Sequence, residues 1–301
     1  ATTTSEELSL DTPTATLPGT LLVPLQQAEG APVVLLIAGS GPTDRNGNSP
    51  VGVSANTLSL VAQALADAGI ASLRYDKIGS GASRPKITKE EELAFETYGS
   101  HAAGWLEMLK GDARFKTFFV VGHSEGSLVG MLAAQAQPVD GFVSVACAGR
   151  NIADVLIEQI RAQLPAGQAE EAERVVNELR AGRTVAASTI QLPPETRDGL
   201  FRDSLQPFLI SWMKLDPAVE VAKLTARVAV VQGSTDLQTS LADAERLAAA
   251  ARVEPVILEG VNHVLKQAPA ERNANLATYR NPDLPLGPGV RDALVGFVLG
   301  K

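Results

Sequence analysis

The chain has 301 residues, of which 45% are hydrophobic and 20% charged, and its formal net charge is −8. This composition is typical of a globular protein rather than a disordered one, and the length allows one large α/β domain or two smaller ones. No apolar run reaches the roughly 20 residues of a membrane span. The acidic balance argues against nucleic acid or an anionic membrane surface as a partner, because both attract basic patches.

The composition also limits cofactors. The single cysteine, Cys147, excludes an internal disulfide framework and a cysteine-rich metal site. Residues 44–48 begin like a calcium loop, but Ser49 and Ala55 stand where that loop requires Gly and Glu. The glycines after residues 70–75 do not complete the Gly-x-Gly-x-x-Gly fingerprint of a nucleotide site. We expect no metal and no organic cofactor. Because the chain begins at Ala1, a periplasmic or secreted location is open if a signal peptide was removed, and a cytoplasmic one otherwise.

The predicted elements begin with an antiparallel hairpin at residues 6–23. Strands and helices then alternate, with Ser54 as the candidate N-cap of the first helix. The further strands are predicted at residues 32–38, 70–75, 117–121, 139–145, 227–232 and 253–258. The helices are predicted at residues 54–68, 101–109, 127–134, 241–251 and 290–299. This alternation predicts an α/β fold with a mostly parallel, doubly wound sheet and helices on both faces.

Residues 150–217 interrupt this alternation. Three helical patterns follow one another there, at residues 152–164, 168–179 and 197–213, with no strand between them. We interpret this segment as a helical cap inserted above the carboxyl edge of the sheet. The core domain would then comprise residues 1–149 and 218–301.

A candidate nucleophile, Ser124, stands in the run Gly122-His123-Ser124-Glu125-Gly126. A buried-strand pattern precedes the run and a helical pattern follows it, which predicts a strand, a tight turn and a helix. In a nucleophile elbow the serine has a strained backbone, so its neighbours two positions away must lack bulk, as Gly122 and Gly126 do. The sequence therefore indicates a serine hydrolase.

A serine hydroxyl needs a base to take its proton, and the chain has three histidines. His263 follows the last predicted strand and is the candidate base, although an ordinary exposed loop histidine would have the same pattern. We expect the side chain of His123 to face away from Ser124. His101 lies on the helix before the Ser124 strand, which should place it away from the carboxyl edge of the sheet.

The base in turn needs an acceptor that fixes its tautomer. Asp236 ends the penultimate strand, and the chain order Ser, Asp, His is that of α/β-hydrolases. Asp243 and Glu245 are nearby alternatives, but their positions on the next helix are more typical of solvated carboxylates.

The oxyanion of acyl transfer requires two preorganised N–H donors. The residue after the serine is Glu125, and the loop Gly39-Ser40-Gly41-Pro42 offers Ser40 as the second donor. Gly39 and Gly41 would let this backbone approach a substrate, although a plain tight turn would have the same composition.

Other residues are candidates for substrate contact. Phe208 and Trp212 in the proposed cap would line an apolar acyl pocket, with the ordinary core of the cap as the alternative. Asp76, in the turn after residues 70–75, and the side chain of Glu125 are further candidates.

These motifs together resemble the α/β-hydrolase superfamily, and within it the bacterial serine esterases with a helical lid, related to the serine aminopeptidase and dienelactone hydrolase group. Ala38 stands where some lipases and esterases have the His of a His-Gly-Gly-Gly motif, and Ser124 stands where dienelactone hydrolases have a cysteine. The resemblance implies a carboxylic ester hydrolase that acts on a small-molecule ester through an acyl-enzyme intermediate. The alternatives are a serine aminopeptidase or thioesterase with the same residues, or a ligand-binding protein without turnover. The sequence indicates no oligomeric state.

Overall fold

The computed structural model describes residues 2–301, and the strands of these residues form one sheet. They are β1 (Thr3–Asp11), β2 (Ala15–Pro24), β3 (Pro32–Ile37), β4 (Ala71–Tyr75), β5 (Arg84–Pro85), β6 (Thr117–His123), β7 (Gly141–Val145), β8 (Arg227–Gly233) and β9 (Val256–Leu258). Their order is β1-β2-β4-β3-β6-β7-β8-β9, and the short β5 pairs with β2. The six strands from β4 to β9 in this order are parallel, so the predicted mixed sheet is confirmed.

The predicted hairpin at the start of the chain consists of β1 and β2. The two strands are antiparallel from the pair Thr3 and Pro24 to the pair Asp11 and Thr16, and β2 is also antiparallel to β4. The chain then crosses from β3 to β4 on one side and returns to β6 on the other side of β3. Because the crossovers from β3 to β4 and from β4 to β6 run in opposite directions across the sheet, the carboxyl ends of β3 and β6 border the crevice where doubly wound sheets bind ligands.

The helices cover both faces of the sheet. They are α1 (Thr57–Asp67), α2 (Phe95–Lys110), α3 (Glu125–Ala136), α4 (Ile152–Gln163), α5 (Ala166–Arg180), α6 (Pro194–Phe201), α7 (Gln206–Met213), α8 (Pro217–Ala222), α9 (Leu241–Ala251), α10 (Arg272–Ala277) and α11 (Val290–Leu299). Along β3 the side chains alternate between two cores: Val33 and Leu35 pack under α2 and α3, and Val34 and Leu36 pack under α1 and α11. This two-sided burial explains the uninterrupted apolar run of β3.

The predicted starts of α1 and α2, at residues 54 and 101, both differ from the structure. Helix α1 begins at Thr57, and the cap position belongs to Asn56, whose side chain makes no capping hydrogen bond. The prediction of Ser54 as the cap is therefore wrong; its N–H instead donates to the carbonyl of Tyr279. Helix α2 begins at Phe95, six residues before the predicted start, because its first turn packs against α7 through the stacked rings of Phe95 and Trp212.

Helices α4 to α8 lie between β7 and β8; α4 to α7 fall within residues 150–217, and α8 begins at the end of that range. Part of this segment has its own apolar core, which joins α4, α5 and α7 through Ile160, Val176 and Leu209. The helix predicted at residues 197–213 is two helices, because Pro207 lies in the first turn of α7, where a proline is tolerated, and could not lie in a helix interior. No helix among residues 2–301 is long and apolar enough to cross a membrane.

Candidate active site

Ser124 lies at the sharp turn between β6 and α3, at the carboxyl edge of the sheet. Its backbone has φ 57° and ψ −125°, a conformation that costs a residue with a side chain about 1–3 kcal/mol. Its N–H donates to the carbonyl of Val145 at 2.8 Å, which ties the turn to the end of β7. The rest of the fold thus holds Ser124 in a conformation that the residue would not adopt in isolation.

The two glycines around Ser124 are required by close packing of the backbone. A Cβ atom on Gly122 would overlap the carbonyl oxygen of Gly126, and one on Gly126 would overlap the carbonyl oxygen of Ile37. These neighbours are backbone atoms, which cannot move aside as a flexible side chain can. The turn is therefore pressed against the end of β3, and neither glycine position has room for a side chain.

Asp236 and His263 lie on the loops that follow β8 and β9, and they are hydrogen bonded to each other. The Nδ1 atom of His263 is 2.8 Å from Oδ2 of Asp236, and both side chains are buried. Oδ1 of Asp236 accepts the N–H groups of Gln238 at 2.7 Å and Thr239 at 3.0 Å. Oδ2 also accepts the hydroxyl of Thr239 at 2.9 Å and the amide of Gln232 at 3.2 Å. This set of donors fixes the orientation of the carboxylate.

The same contacts keep Asp236 ionised. Burial alone would raise the pKa of Asp236, but the facing His263 and the hydrogen bonds to its oxygens outweigh burial and lower the pKa to about 2. At neutral pH the carboxylate therefore accepts a proton donated by Nδ1 of His263. In the neutral tautomer with its proton on Nδ1, the other ring nitrogen, Nε2, is an acceptor.

The lowered pKa predicts how Asp236 contributes to stability. The folded-state pKa lies below the ordinary 3.8, so the contribution is complete above pH 3.8 and is lost as the pH falls toward 2. It amounts to about 2 kcal/mol at neutral pH. We expect the stability advantage of the wild type over Asp236→Asn to shrink by about 1 kcal/mol between pH 6 and pH 3 in urea unfolding. An advantage that stays constant over this range would contradict the assignment.

Behind the imidazole of His263 lies His123, a contact that the sequence analysis missed. Nε2 of His123 lies 2.7 Å from the backbone carbonyl of His263, and the two rings are 5.1 Å apart. Burial, with a smaller contribution from His263, lowers the pKa of His123 to about 4, so its ring is neutral at neutral pH. A carbonyl only accepts, so Nε2 of His123 must donate. His123 therefore anchors the loop that carries His263.

A buried amide network holds the same loop from the other side. The amide of Asn262 donates to the hydroxyl of Thr278 at 2.7 Å, and its oxygen accepts the N–H of Lys266 at 3.1 Å. Asn275 donates to the carbonyl of Thr235 at 2.7 Å, next to Asp236. Asn262 also donates to the side-chain oxygen of Asn275 at 3.2 Å. These bonds connect the Asp236 loop and the His263 loop to α10, a helix that the sequence analysis did not predict, and to Thr278 directly after it.

A cavity of about 130 Å³ opens beside Ser124. Its apolar lining comes mainly from α3, α4, α7 and α8. Its polar lining comes from α4, from the turn at Ser124 and from the loops after β3, β7 and β8. The lining residues are Ser40, Ser124, Glu125, Leu128, Cys147, Ala148, Arg150, Ile152, Val155, Gln159, Trp212, Pro217, Gln238 and Thr239. Among residues 2–301, Ser124 Oγ makes no hydrogen bond to His263, so the structure brings the two to the same edge of the sheet without joining them.

The two aromatic residues predicted for substrate contact differ in their placement. Trp212 lines the cavity, whereas Phe208 is absent from its wall and packs instead among Phe95, Tyr98 and Trp212. Phe208 is thus one layer behind the cavity, where it supports Trp212. Cys147 is buried and also lines the cavity, and burial raises the pKa of its thiol to about 12.

The glycine-rich loop after β3 lies directly beside Ser124. A Cβ atom on Gly39 would be 3.3 Å from Cβ of Ser124, so a larger residue would crowd the serine. Ser40 lines the cavity, and Gly41 has φ 71°, a conformation that favours glycine. The loop thus brings its backbone close to the space in front of Ser124.

Asp76 and His101 have structural partners away from the cavity. The carboxylate of Asp76 accepts the N–H of Arg45 at 2.8 Å and the N–H of Ala82 at 2.9 Å, and it pairs with the guanidinium of Arg45. These bonds brace the loop after β3 against the turn after β4. His101 bonds through Nε2 to the hydroxyl of Thr14 at 2.6 Å, in the hairpin, as expected for a histidine outside the site.

The fold and this site define the protein as an α/β-hydrolase of the esterase and aminopeptidase group. A profile of the family described as "Serine aminopeptidase, S33" matches residues 51–267, so the chain belongs to that family. The chain is also 24% identical over 255 residues to the esterase EstD of Thermotoga maritima, covering 83% of this chain. It spans 58% of the length of EstD.

Two solved structures show the same fold. The chain is similar to Est1E of Butyrivibrio proteoclasticus with ferulic acid bound, with a TM-score of 0.62 and 18% identity over 97% of this chain and 98% of that one. It is also similar to the proline iminopeptidase of Mycobacterium smegmatis, with a TM-score of 0.58 and 12% identity over 97% of each chain. At these identities the likeness concerns the fold alone.

Proposed function

We propose that the protein is a serine-dependent carboxylic ester hydrolase that works through an acyl-enzyme. Ser124 attacks the ester carbonyl, His263 takes the serine proton and passes it to the leaving alcohol, and Asp236 orients His263. The N–H groups of Ser40 and Glu125 hold the oxyanion. Water then releases the acid by the same sequence of proton transfers.

The observation that carries this proposal is the pairing of two features at one edge of the sheet. Ser124 has a strained backbone on a strand-to-helix turn and borders a cavity. The Asp236–His263 hydrogen bond on the loops after β8 and β9 favours the tautomer with its proton on Nδ1, which supports a role as general base. Strain of this kind, where backbone packing leaves no room for relaxation, is typical of active sites.

The size and lining of the cavity beside Ser124 indicate the length of the acyl group that it could hold. Its volume of about 130 Å³ is close to the roughly 150 Å³ of an apolar cavity that holds benzene. Leu128, Ile152, Val155 and Trp212 supply apolar walls suited to a short acyl chain. We propose that the helical segment at residues 150–217 acts as the lid that closes this pocket.

The experiment that tests the proposal is hydrolysis of p-nitrophenyl esters from acetate to palmitate. The expected result is turnover with an optimum at short acyl chains, together with a fluorophosphonate adduct located on Ser124 by mass spectrometry. Absence of both turnover and adduct would contradict the proposal and favour a ligand-binding protein. Turnover without modification of Ser124 would contradict the assigned nucleophile.

A second candidate is a serine aminopeptidase, which the family description favours. An acidic subsite with no cation beside it would favour an aminopeptidase, because it could pair with the free amino group of the substrate. Glu125 is the sequence-predicted candidate, but its side chain is 7% exposed and faces the ammonium of Lys77 at 3.9 Å. This neighbouring charge favours the esterase. The comparison of an alanyl p-nitroanilide with p-nitrophenyl acetate tests the choice, because an aminopeptidase would prefer the anilide.

A further inference from the structure

A buried lysine lies behind the glycine-rich loop, outside the residues that line the cavity. Lys77 follows β4, its side chain is 3% exposed, and its ammonium donates to the backbone carbonyl of Gly39. The ammonium also lies 5.4 Å from the ring centre of Tyr98. Burying a cation is costly unless its surroundings compensate the charge, so this lysine calls for a specific explanation.

The hydrogen bond to Gly39 fixes the direction of the next N–H group. The described chain has no cis peptide bond, and in a trans peptide the C=O and the following N–H point in opposite directions. Since the carbonyl of Gly39 points at Lys77, the N–H of Ser40 points away from Lys77. Ser40 itself lines the cavity beside Ser124.

The counter-charge of Lys77 is Glu125, the residue directly after Ser124. Oε1 of Glu125 is 3.9 Å from the ammonium and is buried without a hydrogen-bond partner among residues 2–301. Burial pushes the pKa of Lys77 down and that of Glu125 up, and the charge of each partner opposes this effect in the other. One ion pair therefore connects the two backbone segments that carry the N–H groups of Ser40 and Glu125.

We propose that Lys77 is a positioning residue that holds the Gly39–Ser40 peptide so that the N–H of Ser40 faces the oxyanion. This inference rests on the proposed esterase function. Lys77 acts through the peptide and does not touch the substrate. Without its ammonium, the peptide would be free to rotate and one of the two oxyanion donors would lose its fixed direction.

The test is the Lys77→Met variant, which keeps the length of the side chain and removes the donor. We expect kcat for p-nitrophenyl acetate to fall about 10²-fold with KM within about threefold of wild type, since the interaction forms mainly in the transition state. The matched control is Lys110→Met. Lys110 also donates to a backbone carbonyl, that of Pro138 at 2.6 Å, but at the opposite end of the sheet, and its variant should keep wild-type kcat.

A second substrate separates positioning from general damage. In the thionoester analogue of the same substrate, sulfur replaces the carbonyl oxygen and accepts hydrogen bonds only weakly. If Lys77 positions an oxyanion donor, Lys77→Met loses activity on the oxoester and much less on the thionoester, so the preference for oxygen shrinks. An equal loss on both substrates, or no loss, would overturn the inference.

A replacement variant and a wild-type control separate failure of folding, failure of the proposed function and failure of the inference about Lys77. Lys77→Met leaves Glu125 without a counter-charge, so if this variant does not fold, Lys77→Met/Glu125→Gln takes its place with the same expected change in substrate preference. The wild type is measured first, against Ser124→Ala. A wild type without Ser124-dependent turnover overturns the proposed function itself, whereas intact wild-type turnover with an unchanged Lys77 variant overturns only the inference.

Discussion

Ser124→Ala and His263→Ala are each expected to lower kcat for p-nitrophenyl acetate by about 10³-fold or more, and the double variant is expected to lose no more than either single variant. The reason is that the hydroxyl is a weak nucleophile without the base, and the base has no function without the hydroxyl. Their effects are therefore not additive. Steady-state kinetics on the three variants, with far-UV circular dichroism to confirm folding, measures this directly.

The controls for this prediction come from the same chain. Ser59→Ala removes a hydroxyl on α1 that donates to the carbonyl of Asn56 at 2.9 Å. His101→Gln changes a histidine on α2 that bonds to Thr14 in the hairpin. Neither residue lines the cavity, so both variants should retain kcat. A double variant whose loss equals the product of the two single losses would show that Ser124 and His263 act independently, contrary to the proposal.

Much of the fold could be predicted because its signals are local. The apolar run of β3, the glycine spacing around Ser124 and the alternation of strands and helices follow from backbone sterics and burial. Asp236 and His263 could be placed because loops after parallel strands meet at one edge of the sheet. Their hydrogen bond confirms that they lie together, while their catalytic roles remain proposals.

What could not be predicted depends on contacts between distant parts of the chain. The start of α2 at Phe95 depends on α7, more than a hundred residues later. The contacts of His123 with His263 and of Lys77 with Gly39 have no periodicity that a sequence shows. Pro207 is the exception, because a proline inside a predicted helix was a readable sign of a break.

The Asp236→Asn variant is the second for which we expect a large fall in kcat, because the substitution changes the tautomer of His263. Oδ1 of Asp236 accepts two backbone N–H groups, from Gln238 and Thr239, so the oxygen of the introduced asparagine must occupy this position. Its NH₂ group then replaces Oδ2 and faces Nδ1 of His263. Because this group only donates, it favours the tautomer with the proton on Nε2, which cannot take the proton of Ser124.

We therefore expect Asp236→Asn to reduce kcat by about 10³- to 10⁴-fold with little change in KM, although the side chains have almost the same shape. The matched control is Asp140→Asn, because Asp140 also accepts a backbone N–H, that of Phe118 at 2.8 Å, but at the opposite end of the sheet. Its kcat should be that of the wild type. A mild loss in Asp236→Asn would mean that His263 does not depend on this carboxylate, and Asp243 or Glu245 would then have to be tested as its partner. A large fall in kcat for Asp236→Asn but not for Asp140→Asn would show that turnover depends on the His263 tautomer that Asp236 selects.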